Sequence, residues 1–157
     1  MDTLNSSLFK RIISPSATGN GAFVVHKMLQ GGIPDYRVIP YSPYRTLFPP
    51  SLFTPGRNEH ADIIHTTADY GCFHARKNIP LVLTFHGFSL DRFLRPYSTF
   101  FQSIHCQTDL KYFTKLSVLR ADAITAVSHF TADLVKKKMS IQAGQRIKDD
   151  YEDFVSV

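Results

Sequence analysis

Residues 79–88, IPLVLTFHGF, hold an apolar run too short for a core helix, opened by Pro80 and closed by His86 and Gly87. LVLTF is continuous rather than alternating, the pattern of a strand buried on both faces, as the central strand of a parallel sheet is. Sheets of that kind present ligands beyond the carboxyl ends of their strands, and His86 stands at such an end.

The same grammar extends outward. Upstream, ADIIHTT (residues 61–67) is a second apolar strand, and a helix is expected over residues 69–77 between the two. Further back, FKRIIS (9–14) reads as a strand, PSATGNGA as a glycine loop, and Phe23, Val24, Met28 and Leu29 as the apolar stripe of a helix stopped by Gly31 and Gly32. YRVIPY (36–41) is another strand, with Pro40 confined to its end, and a connection rich in proline (Pro43, Pro49, Pro50, Pro55) then predicts little regular structure. Downstream, a long helical region runs from Pro96 past Leu119, with Phe93, Tyr97, Phe100, Phe101 and Ile104 on one face. ADAITAVS is a fifth strand, Ser128 caps a last helix HFTADLVKKK, and Lys136 to Lys138 suit its carboxyl-terminal dipole as a solvated end. Strands alternating with helices imply right-handed crossovers and a doubly wound, Rossmann-like parallel sheet.

Composition narrows the classes. The 157 residues, 43% apolar and 20% charged, suit one domain, and a net charge of +5 favours anionic partners without selecting one. Cys72 and Cys106 stand far apart with no CxxC, which points to reduced thiols and a cytoplasmic setting. No apolar run approaches the roughly 18 residues of a membrane span, so attachment at the membrane surface is the most that is expected. The aromatic residues 93–104 with Arg92 and Arg95 fit either such a surface or the core.

Three histidines recur near strand ends: His65, His86 and His129. Their spacing matches no metal-ligand motif and no carboxylate partner is evident, so no metal is assigned. Each ring could satisfy a loop carbonyl; at His86 the adjacent Gly87 permits close approach of a ligand and favours function. Gly19 and Gly21 precede a helix whose first amides could face a phosphate, or they form a tight turn. A dinucleotide site is disfavoured, because Val24 takes the third glycine position of GxGxxG and Tyr41-Ser42 ends the second strand without an acid. Ser128 beside His129 makes no triad, and Asp69 and Asp91 are either general bases or solvated loop acids.

Taken as a set, ADIIH, IPLVLTFHG and ADAITAVSHFTADLV resemble the sheet-edge segments of the amino-terminal domain of family 4 glycosyltransferases, over residues 9–139. The resemblance implies the acceptor-side half of a GT-B architecture, facing a donor-binding partner domain or subunit across a cleft, with a nucleotide sugar as donor substrate, an acceptor, no cofactor and no nucleic acid. His86 matches the histidine of the family's T-x-H-G segment, which contacts the transferred sugar; Gly19 and Gly21 lie where the family's loop approaches the donor phosphates. His65, Gly87 and Ser128 complete the expected substrate-binding set. The family loop often has adjacent glycines, here split by Asn20, and residues 140–157 read as an acidic tail where the family continues into its donor half. The competing reading is a non-catalytic module of the same fold that binds an anionic ligand.

Overall fold

The computed structural model describes residues 10–87, 110–139 and 147–148. Along the chain come β1 (Ile12–Ala17), α1 (Gly21–Gly32), β2 (Tyr36–Tyr41), β3 (Ile63–Thr67), β4 (Leu81–Phe85), α2 (Lys111–Arg120), β5 (Ala123–Ala126), α3 (His129–Met139) and β6 (Ile147–Lys148). All pairings are parallel and the strand order is β2-β1-β3-β4-β5-β6. This is a Rossmann-like α/β sheet whose order reverses between β1 and β3, the position at which such sheets open a ligand crevice.

Parallel register puts partnered residues on a common face, and the two faces differ chemically. On one lie Ile13, Ile64, Leu81, Leu83, Phe85 and Ile124, packed against Val118 of α2 and Val135 of α3. Burying each large aliphatic side chain there contributes about 1.5–3 kcal/mol. The other face carries Ser14, Ser16, Tyr36, His65, Thr84 and Thr125, with His86 beyond the end of β4, and α1 lies over it.

Two aspartates set the strand register by the same device. Asp62, just before β3, accepts from the Arg11 amide at 2.9 Å, and Asp122, just before β5, accepts from the Leu81 amide at 2.8 Å. The repeated Ala-Asp of ADIIH and ADAIT is thus a clamp on the preceding strand of the sheet, which otherwise would leave its first amide unpaired.

Several expectations are corrected. Residues 69–77 form no α-helix: a 3-10 turn at Gly71–Phe73 stands there, and Gly71 packs so closely that a Cβ would come within 2.4 Å of Leu83 Cδ2. The proline-rich connection is more regular than expected, with 3-10 helices at Pro43–Leu47 and Pro49–Phe53, each opened by a proline that needs no amide partner. β1 lies later than FKRIIS and includes Pro15; its carbonyl is held by the Thr66 hydroxyl at 2.7 Å, and β1 and β3 pair only at Ile12–Ile13 with Ile63–Ile64. Pro40 sits one residue from the end of β2, an edge strand, where the ladder tolerates it.

The stripe assigned to α1 holds only in part, since Phe23 and Leu29 are half-buried. Val24 is 56% and Met28 71% exposed, and the residue this helix buries is His26. β6 falls in the segment read only as an acidic tail, to which no structure was assigned. Residues 88–109, with Asp91, Arg92, Arg95, Cys106 and the whole of the aromatic face, lie outside the described residues. Among the described residues, no helix is long and apolar enough to cross a membrane.

Candidate functional site

The site grows from the polar face of the sheet. Strand alternation points Ser14, His65, Thr84 and Thr125 to one side, and α1 sets His26 over them. A polar row of side chains results, running across the strands. Ser14 Oγ and Tyr36 OH lie 2.8 and 2.7 Å from His26 Nδ1; Tyr36 OH reaches His65 Nδ1 at 2.7 Å; His65 Nε2 reaches Thr84 Oγ1 at 2.6 Å; Thr84 reaches Thr125 Oγ1 at 2.7 Å. At the carboxyl edge, His86 Nε2 meets His26 Nε2 at 3.2 Å. The His26 ring centroid lies 4.7 Å from that of His65 and 5.1 Å from that of His86.

Electrostatics keep these rings neutral. Burial, with repulsion from the His65 and His86 imidazoles, lowers His26 to about 3. Burial and His86 lower His65 to about 4, and burial lowers His86 as well. Burial raises the Tyr36 hydroxyl to about 12, against a hydrogen bond to Ser14 that works the other way. A row of neutral hydroxyls and imidazoles costs little to bury because each group finds a partner. The row binds no charge of its own.

The expected site residues distribute along this geometry. Gly19, with φ 81°, forms the turn after β1 and Gly21 opens α1; neither would crowd a Cβ, so the left-handed backbone rather than packing calls for glycine at position 19. Asn20 between them caps the helix, its side chain accepting from the Phe23 amide at 2.8 Å. The Gly21 and Ala22 amides remain as the first-turn donors without intrahelical acceptors. Ser16 Oγ, buried beneath this loop at the carboxyl half of β1, meets no partner in the described structure.

His86 and exposed Gly87 follow β4 at the same edge of the sheet. Ser128 follows β5 there, its Oγ accepting from the Thr131 amide at 3.2 Å as the cap of α3. His65 lies within β3 rather than at its end, with both nitrogens engaged, and His129 is exposed at the start of α3, outside the row. Asp69 follows β3; burial pushes its carboxyl up to about 6, and its charge helps burial raise Tyr41 to about 12. Cys72 is a buried free thiol. Among the described residues, no three His, Cys, Asp or Glu side chains are set to hold a metal ion.

His26 and Tyr36 were not anticipated from the sequence. The available signal was the alternation of polar residues, Ser14 and Ser16, His65 and Thr67, Thr84 and His86, at positions two apart in strands otherwise apolar. Such a face demands a polar residue from the helix that covers it, and α1 offers His26.

The Glycosyltransferase Family 4 model matches residues 11–148, most of the chain, and no curated protein matches it. The chain belongs to glycosyltransferase family 4.

Proposed function

We propose that this domain supplies the acceptor-side wall of a GT-B glycosyltransferase, working with a donor-binding domain to transfer a sugar from a nucleotide sugar. The observation that carries the reading is His86: a neutral imidazole at the carboxyl end of β4, gripped on one nitrogen by His26 and followed by a glycine that a Cβ would not obstruct. A ring so held can hydrogen-bond a sugar hydroxyl or the oxygen on which charge develops as the nucleotide departs. The loop at Gly19 and Gly21 supports the same reading, since first-turn amides and the α1 dipole favour an anion such as a diphosphate.

Titration of the isotopically labelled chain with UDP- and GDP-linked sugars tests this directly by NMR. Shifts are expected at the Gly19, Gly21 and Gly87 amides and at the His86 ring. Shifts confined to other parts of the sheet would overturn the assignment. Binding that persists while a complete enzyme containing this domain transfers nothing would favour the non-catalytic anion-binding module.

A further inference from the structure

The connection between β2 and β3 turns large apolar side chains toward water. Tyr44 is 78%, Leu47 75% and Phe48 66% exposed, and Phe53 close by is exposed as well. Residues three apart eclipse in a 3-10 helix, so Tyr44 and Leu47 share one side of the turn Pro43–Leu47. Phe48 follows them directly, and Phe53 ends the next turn, Pro49–Phe53.

These side chains stand on a fixed base. Leu52 is fully buried in a cluster with Tyr41, Tyr70 and Phe73, and Phe53 meets Phe73 edge-on with ring centroids 5.0 Å apart. Arg45 Nη1 donates to the Ser51 carbonyl at 3.1 Å and to Thr54 Oγ1 at 2.6 Å, which joins the two turns. Apolar side chains held in water by a packed base mark an interaction surface.

Charge selects the partner. From Tyr36 to Asn58 the chain has no Asp or Glu but carries Arg37, Arg45 and Arg57. Arg37 is paired with Glu59 at 2.9 Å, whereas among the described residues Arg45 bonds only neutral oxygens and Arg57 has no ion pair. An open hollow of about 340 Å³ adjoins the turns, lined by Arg45 with Tyr41, Ser42 and Thr54. Asp69 acts electrostatically on Tyr41, one negative charge against these two positive ones. A second copy of a chain with net charge +5 would repel such a face. An anionic lipid surface answers both the apolar side chains and the arginines.

We propose that residues 42–57 form a membrane-surface contact, in which Tyr44, Leu47 and Phe48 enter the interfacial region of an anionic bilayer and Arg45 takes a lipid phosphate in the hollow beside them. The contact does not rest on the transfer reaction proposed above.

Co-sedimentation of the whole chain with vesicles of phosphatidylcholine alone, and of an equimolar mixture with phosphatidylglycerol, tests it. Binding is expected to the mixed vesicles and is expected to fall as salt is added. The double change Leu47→Ser with Phe48→Ser, at exposed positions, is expected to weaken it about tenfold or more with the urea midpoint unchanged. Arg45→Gln is expected to weaken it about fivefold, and Arg45→Lys, which keeps the charge, to restore most of the loss. Should Arg45→Gln lower the urea midpoint, Arg57→Gln carries the same test. No binding, equal binding to both vesicles, or binding that these changes leave intact would overturn the proposal. So would binding lost only on Arg92→Glu with Arg95→Glu, which would place the contact elsewhere. A dimer in sedimentation velocity that the Leu47 and Phe48 changes dissolve would give the face to a second copy and overturn it too.

Discussion

The Nε2 atoms of His26 and His86 lie 3.2 Å apart, one on α1 and the other just past β4, so residues separated by 60 positions share a single proton. The contact ties the helix that follows the glycine loop to the strand that presents the proposed ligand-contacting ring. Substitution at either end therefore acts on both.

His86→Ala, made in a transferase that contains this domain, is expected to lower the transfer rate by about 2.7–4 kcal/mol of transition-state stabilisation. Loss of its bond to His26 is expected to cost only about 0.5–1.5 kcal/mol in folding. Urea midpoints measured alongside transfer rates separate the two. Normal turnover by the folded fraction would make His86 structural.

The 157-residue chain assayed alone with a panel of nucleotide sugars is expected to give no turnover. On the function proposed above it offers one wall of a cleft, and transfer needs donor and acceptor held together. Rates comparable with those of complete enzymes would end the half-site reading.

Stability is expected to fall on acidification from pH 7 to pH 5. His26, His65 and His74 are lowered by burial to about 3, 4 and 4, so the folded state binds fewer protons than the unfolded one below about pH 6.5. The stabilisation is present above that value and lost as pH falls, by up to about 2 kcal/mol per histidine between pH 6.5 and 5. Asp69 opposes this: raised to about 6, it favours the folded state at low pH and loses that contribution as pH rises through 6. One acid does not offset three imidazoles. A urea midpoint that does not decline between pH 7 and 5 would contradict the burial of these rings.

His74 is buried, and neither ring nitrogen has a hydrogen-bond partner in the described structure. Removing such a group relieves a desolvation penalty of about 1–3 kcal/mol. His74→Leu is accordingly expected to raise the urea midpoint at neutral pH and to flatten its decline toward pH 5. A lower midpoint would show that the imidazole has a partner after all.

Gly71→Ala is expected to destabilise by about 1–3 kcal/mol, because the new methyl would meet the Leu83 side chain at 2.4 Å. Leu83→Val in the same chain should recover part of the loss by opening room. An unaltered midpoint for the single variant would mean that this turn shifts freely.

The alternation of strands and helices was legible because apolar runs such as LVLTF and DIIH are strong local signals. The turn at Gly71 was not, since close packing against Leu83 is a tertiary event that no local period announces. His86 was legible from its place after a central strand. His26 was not: a helix stripe read by hydrophobicity selects Val24 and Met28, which face solvent, and discounts the polar residue that a polar sheet face recruits. His65 was recognised but placed at a strand end, because the strand continues through two threonines whose burial only the neighbouring strands supply.

Pro15 has no amide hydrogen, and its carbonyl faces β3 through the Thr66 hydroxyl instead of a backbone partner. Beyond Ile13 and Ile64 the two strands carry no further backbone pairing. The gap at the reversal point of the sheet is thus specified by a covalent ring in the middle of a strand, not by a movable loop. Pro15 and Thr66 are both buried, so a side-chain hydroxyl takes the place of the lost ladder inside the packed sheet.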